Sequence, residues 1–391
     1  MSQAKPAREK KNTKTTLIHI LMVALSTLSA FGIGAAFGNI AKRNADLMHL
    51  LNEQVLLFVI VTIISVVVAF LLQTLIHELG HLIFGLLSGW KFVSFRVGSM
   101  ILSKDADGKF SVGRFYLVGT SGQCLMEPPN YEQGDYSQAF YNLGGIILNL
   151  LTATLFLGLI FTPNLHPYAV IFFMFLALFG IVDTITNGIP VKSKMIANDG
   201  YNALSLTNDP EAKRAFWIQL KGNAYISHGS RIGNLPARWF KLPSDEELQN
   251  YMVASLAPLA VAYQLDRKNY DEAIAMIDHL LEVPNAMAGV HRNMLINDRI
   301  YLALVIEENR VKAKSLMTHE LDKFRKSMKK FISVARTQYA IELLLRHDLD
   351  EAEEALEYFK HVASRHPNQG EIEGEIELVK LAKAKGDVES D

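Results

Sequence analysis

One cysteine, Cys124, stands among the 391 residues. A single thiol forms no intrachain disulfide and cannot build a cysteine-rich metal site, so any metal in this chain must be held by histidine and carboxylate. Excess charge is missing as well. The 39 Lys and Arg against 40 Asp and Glu leave a formal net charge of −1, which gives no electrostatic basis for binding nucleic acid. Long apolar runs are absent after about residue 190, where an ordinary charged, soluble-type sequence takes over. Before that point they dominate, and half of all residues are hydrophobic. The composition therefore implies a membrane part followed by a soluble part.

Four segments are apolar for long enough to cross a bilayer core of about 30 Å, which takes roughly 20 helical residues. They run from Thr16 to Phe37, from Gln54 to Leu87, from Ala139 to Phe161 and from Tyr168 to Ile189. The second is too long for one upright crossing. Lys5, Arg8, Lys10, Lys11 and Lys14 precede the first, but its long apolar core without a clean small-residue cleavage site reads as a retained anchor. Basic residues set the orientation. Besides the N-terminal cluster, Lys91, Arg96, Lys104, Lys109 and Arg114 lie between spans two and three, and Lys192 and Lys194 follow span four. Both termini are expected in the cytoplasm.

Within the second span lies His77-Glu78-Leu79-Gly80-His81. Histidines four apart share one helix face, so both imidazoles can grip one zinc ion. Glu78 is placed to take a proton from metal-bound water. The plainer reading, two histidines and a glutamate packed in a bundle, is weakened by the cost of ionisable groups in an apolar span. At about 1.5 Å rise per residue, His77 lies about 35 Å beyond Gln54, in the cytoplasmic half of the membrane. Gly80, Gly85 and Gly89 would let a neighbouring helix approach closely.

Span three adds Asn142 to Asn149 with Gly144 and Gly145 at its middle. Span four ends in Asn187-Gly188-Ile189-Pro190, and Asn198-Asp199-Gly200 follows. From Gln54 to about residue 205 the sequence resembles the site-2 protease family of intramembrane zinc metalloproteases, peptidase M50. The resemblance implies zinc held by His77, His81 and Asp199, with Glu78 as general base. It also implies that Asn149 and Asn187 hold the substrate backbone or stabilise the oxyanion. Asp199 lies nine residues after Pro190, further than the family's usual spacing, so Val191 to Asn198 must loop before the chain returns. Asp183, one turn before Asn187 on the same face, is the rival third ligand.

Between spans two and three, Lys91 to Val97 and Phe110 to Val118 are rich in β formers and flank a turn at Asp105 to Gly108. A small cytoplasmic β-hairpin or sheet is expected there, with an edge that can add a substrate strand. Cys124 is read as a structural thiol. Beyond residue 208 the pattern is of paired amphipathic helices, with Ala273, Ala313 and Ala352 recurring 40 and 39 residues apart. This resembles a degenerate tetratricopeptide-like solenoid, whose concave face implies a cytosolic protein or peptide partner.

The expected architecture is an all-α membrane protein with four transmembrane helices, a small cytoplasmic sheet and a soluble α-helical repeat domain. Its parts are a tail (1–15), a protease domain (16–207) and a helical domain (208–391). The expected activity is zinc-dependent hydrolysis of peptide bonds in transmembrane or membrane-associated proteins, at a bacterial plasma membrane. A non-proteolytic membrane scaffold working through its helical repeats is the other reading.

Overall fold

The computed structural model describes residues 13–115, 120–131, 136–192 and 197–390. Lys5, Arg8, Lys10, Lys11 and Lys194 lie outside the described residues. The chain forms two compact units, residues 1–84 with 138–204, and residues 85–137 with 205–391.

The first unit consists of helices α1 (Thr13–Ala41), α2 (Ala45–Glu53), α3 (Val55–Leu87), α4 (Ala139–Leu159), α5 (Pro167–Gly188) and the short α6 (Asp199–Ser205). Four of them, Thr16–Ala41, Val55–Leu87, Ala139–Leu159 and Pro167–Gly188, are long and apolar enough to cross a membrane. Their outer faces carry Leu56, Ile63, Leu71 and Leu155 in the open, a surface that only lipid covers favourably. The chain is an integral membrane protein. α3, at 33 residues, is about 50 Å long and exceeds the bilayer core.

Local chemistry fixes the ends of these helices. Asn44 accepts a hydrogen bond from the Leu47 amide, capping α2, and its own amide donates to the Leu165 carbonyl. α5 begins at Pro167, whose fixed φ suits the first helical turn. Ala41, Leu47, Leu50, Val170 and Ile171 pack where α1, α2 and α5 meet.

The second unit opens with a four-stranded antiparallel sheet in the order β3-β2-β1-β4. Its strands are β1 (Lys91–Val97), β2 (Met100–Lys104), β3 (Phe110–Arg114) and β4 (Gly122–Glu127). β1 and β3 match the sequence expectation, although residues 116–119, at the end of the second expected strand, lie outside the described residues. β2 and β4 were not anticipated. β2 is five residues between two turns, too short for alternation to show. Arg96, counted above among the loop cations, is 1% exposed. Its guanidinium donates to the carbonyls of Gly98, Thr120 and Gly122 and so clasps the strand ends rather than facing solvent. Gly89 sits just beyond α3 at φ +79° with nothing near its Cβ position, so it serves the exit turn and not a helix contact.

Helices α7 (Pro210–Ser227), α8 (Tyr251–Ala254), α9 (Ala257–Asp266), α10 (Tyr270–Glu282), α11 (Gly289–Val305), α12 (Arg310–Leu316), α13 (His319–Ser327), α14 (Ile332–Ala340), α15 (Leu349–Ala363) and α16 (Gln369–Ser390) complete the unit. α14 runs on as a π-wound segment, Ile341–Arg346. Three helix–turn–helix units repeat: α9 with α10, α11 with α12, and α14 with α15. Each turns through one left-handed residue, Lys268 (φ 63°), Glu308 (φ 51°) or His347 (φ 56°), five positions before the recurring alanine. Ala273, Ala313 and Ala352 are all buried in the core of this unit. After each left-handed residue stands Asn269, Asn309 or Asp348 at the N-cap. The Asn309 and Asp348 side chains accept from the Lys312 and Glu351 amides.

Candidate metal centre

His77, Glu78, His81, Asn149, Asp183, Asn187 and Asp199 all belong to the first unit. α3 presents His77 and His81 on one face, one turn apart. The His77 Nε2 and His81 Nε2 atoms are 3.1 Å apart. Asp199 brings Oδ2 to 3.0 Å from the first and 3.4 Å from the second. These three residues form the group among the described residues that could hold a metal ion. A tetrahedral zinc at about 2.0–2.1 Å from each donor would space its ligands roughly 3.3 Å apart, so the donors fit that ion. His81 Nδ1 lies 2.7 Å from the Tyr141 carbonyl oxygen. An Nδ1–H donated there leaves the Nε2 lone pair aimed at the centre.

Glycine makes this geometry possible. A Cβ on Gly80 would sit 2.3 Å from the Gly144 carbonyl oxygen, and one on Gly144 would sit 2.4 Å from that of Gly80. α3 and α4 thus touch backbone to backbone. A Cβ on Gly145 would lie 2.6 Å from the His77 ring. Close approach of α4 therefore walls His77 and His81 in.

Asp199 returns to the centre by a device that the spacing alone did not reveal. Asn198 donates to the carbonyls of Thr186 (2.8 Å) and Ile189 (2.6 Å), and its Oδ1 accepts from the amides of Val191 and Tyr201 (3.0 Å each). One side chain staples the extra loop, whose residues 193–196 lie outside the described residues, onto the end of α5 and caps α6. Gly200 completes the docking: a Cβ there would meet the Gly188 carbonyl oxygen at 2.2 Å.

Asn149 is fully buried. Its Nδ2 lies 3.4 Å from both His77 Nδ1 and Asp183 Oδ2. Asp183 is thus one contact behind the histidine and outside the three-residue group. Asn187 is half-buried in the last turn of α5, and its carbonyl oxygen backs onto Gly200. Glu78 is buried beside His77. Gln73, one turn before His77, escaped the sequence reading. It is fully buried and donates to the Leu176 carbonyl at 2.7 Å, tying α3 to α5. Its signal was available: an amide in an apolar span needs a partner.

A bundle of membrane-crossing helices with His-His-Asp donors gathered beside a buried glutamate defines the class, a membrane-embedded metallohydrolase. The model of peptidase family M50 matches residues 65–385, most of the chain, and the protein belongs to that family. It is therefore a zinc-dependent metalloprotease. No curated protein and no solved structure matches the chain.

Proposed function

We propose that the protein is an endopeptidase in which His77, His81 and Asp199 hold the zinc and Glu78 acts as general base. The supporting observation is the convergence of the two Nε2 atoms and Asp199 Oδ2 within ligand distance of one another. Zinc, when bound, supplies an acidified water and a positive charge for the scissile carbonyl. Glu78 removes the proton from the attacking water and delivers it to the leaving amine. Asn149 lies behind the His77 ring, and with its amide turned so that Oδ1 accepts the His77 Nδ1–H it leaves Nε2 free for the metal. Asn187, half-buried where α5 ends, is left to hold the substrate backbone.

The substrates are segments of transmembrane or membrane-associated proteins. The exposed edge strand β3, with Phe110 and Val112 in the open, suits strand addition by an unfolded segment. The basic-residue pattern favours both termini in the cytoplasm of a bacterial plasma membrane, with residues 1–15 as a tail, 16–207 as the protease domain and 208–391 as a tetratricopeptide-like domain for cytosolic partners. A scaffold with a vestigial centre would have no need of Asn198 and Gly200 to return Asp199 to the histidines.

The deciding experiment is cleavage of a membrane peptide by the purified protein. Glu78→Gln is expected to lower the rate by about 10²–10⁴-fold while zinc content stays at the wild-type level. Equal cleavage by the variant would overturn the assignment.

A further inference from the structure

The four-stranded sheet of the second unit turns an unusual face to the helices of that unit. In the register of the strands, Leu125, Ser94, Ser103 and Ser111 form one cross-strand row from β4 to β3. Gln123, Arg96, Ile101 and Gly113 form the row beside it, two residues along each strand, and so look the same way. A sheet face covered by helices is ordinarily filled by close-packed apolar side chains. Here Leu125 packs on Ala224 of α7 and Ile101 is buried, but the three serines are too short to fill the space beside them. Two cavities of about 300 and 400 Å³ result. The first lies over Ser94 and Ser103 and the second over Ser103 and Ser111. Ile101, His366 and Pro367 line both, so the two form one cleft along the serine row.

Three features give this cleft a preference for one kind of ligand. The first is charge. Arg114 of β3, Lys330 ahead of α14 and Arg365 after α15 line it, and all three are exposed at its mouth. Glu371 is the one acid among the described residues that line it, and Asn368 Nδ2 already donates to its carboxylate at 3.3 Å. The second is an apolar wall. Phe115 and Phe331 line the first cavity together with Leu125, and the Phe115 ring stands edge-on to His366 at 5.6 Å. The third is an open donor at the floor. Ser94 is 8% exposed and lines the first cavity, and its hydroxyl has no hydrogen-bond partner among the described residues. Buried polar groups are ordinarily paired, so a ligand that reaches the floor gains by pairing this one.

We propose that the cleft between the sheet and the α15–α16 turn binds an extended acidic peptide; on the protease reading above, on which this identity rests, it is the cytosolic tail of the substrate. Successive side chains of an extended chain point to opposite sides, so a segment alternating acidic and apolar residues matches both walls. Its carboxylates meet Lys330 and Arg365 at the mouth, and its apolar side chains fill the space left by the serines. Ser94 donates to one of its carbonyls. Crossing from β4 to β3 takes three strand spacings, about 14 Å, which roughly four extended residues cover. A basic peptide is repelled by the rim, and a flat anionic surface cannot reach Ser94 or Ser103.

Full-length Glu78→Gln protein in detergent, which cannot consume the probe, is titrated by fluorescence anisotropy. The probe is a labelled hexapeptide alternating glutamate and valine, compared with versions carrying glutamine or lysine in place of glutamate. The acidic peptide is expected to bind, and the other two to bind about tenfold more weakly or not at all. Lys330→Glu/Arg365→Glu changes two exposed side chains, so the fold persists, and should weaken the acidic peptide about tenfold. Ser103→Leu fills the floor at unchanged charge and should weaken it by a similar factor. Equal binding of all three peptides, or full affinity in the charge-reversed variant, would overturn the proposal. So would full affinity in Ser103→Leu, which would mark a surface attraction that an anionic bilayer shares. Cleavage separates this inference from the protease reading. With wild-type protein, a membrane peptide bearing the acidic tail is expected to show a lower KM than one bearing the glutamine tail, at equal kcat. Tail binding without cleavage of either peptide would sink the protease reading and keep the cleft; cleavage with equal KM would do the reverse.

Discussion

Asn198 shows how much a single polar side chain can decide. It satisfies two carbonyls left open where α5 ends, the Val191 amide of the returning loop and the Tyr201 amide in α6, and those four bonds set the path of the next residue, Asp199. Asn198→Ala removes all four. We expect zinc affinity to fall by about 10–100-fold, as for other groups that orient a ligand, measured by competition with a chromophoric chelator. Gly200→Ala acts on the same path by collision with the Gly188 carbonyl and should give substoichiometric zinc by elemental analysis. Gln73→Leu has a different consequence. It breaks one interhelical bond in an apolar setting, so a loss of about 0.6–1.7 kcal/mol is expected in the unfolding of the membrane part by denaturing detergent.

At the scale of elements, the recurring turns and α16 carry the expectations. The left-handed conformation of His347 costs a residue with a side chain about 1–2 kcal/mol, which glycine avoids. His347→Gly should therefore leave the helical unit as stable as before or slightly more so in a thermal melt, after glycine's own entropy cost. Glu375 brings a pH dependence to α16. Burial pushes its carboxyl up from the ordinary 4.5 to about 7, against the pull of Arg336 and with the help of Asp298 and Glu371. Between those values the folded protein holds a proton that the unfolded chain has released, so stability falls as pH rises from about 4.5 to about 7 and levels off above. Chemical denaturation at pH 5 and pH 8 should show the helical unit more stable at the lower pH, and Glu375→Gln should flatten the difference.

For the molecule as a whole, the metal and the membrane set the expectations. Chelation should abolish cleavage, and stoichiometric zinc should restore it, with the helical fold retained by circular dichroism, because the core of the helical unit does not involve His77, His81 or Asp199. Orientation is open to test by alkylation of single cysteines placed at Lys109 and at Asn164, in a background where buried Cys124 is replaced. The basic-residue rule expects Lys109 to be labelled from the cytoplasmic side and Asn164 from the opposite one.

The amino-acid sequence by itself determined the four spans and the two histidines with their glutamate. Those features are local: an apolar run of sufficient length must cross lipid as a helix, and a four-residue interval puts two side chains on one face. The even spacing of Ala273, Ala313 and Ala352 was also legible, and each of them is buried five residues after a left-handed turn residue. What the tertiary structure decided depends on contacts distant in sequence. It brought Asp199 back across 122 positions to His77 while leaving Asp183 behind Asn149. It also added β2 and β4 to the expected pair of strands, buried Arg96 in the sheet, and laid α16 across all three repeats. No periodicity encodes such pairings, since each depends on which backbone groups and charges are left unsatisfied once the helices have packed.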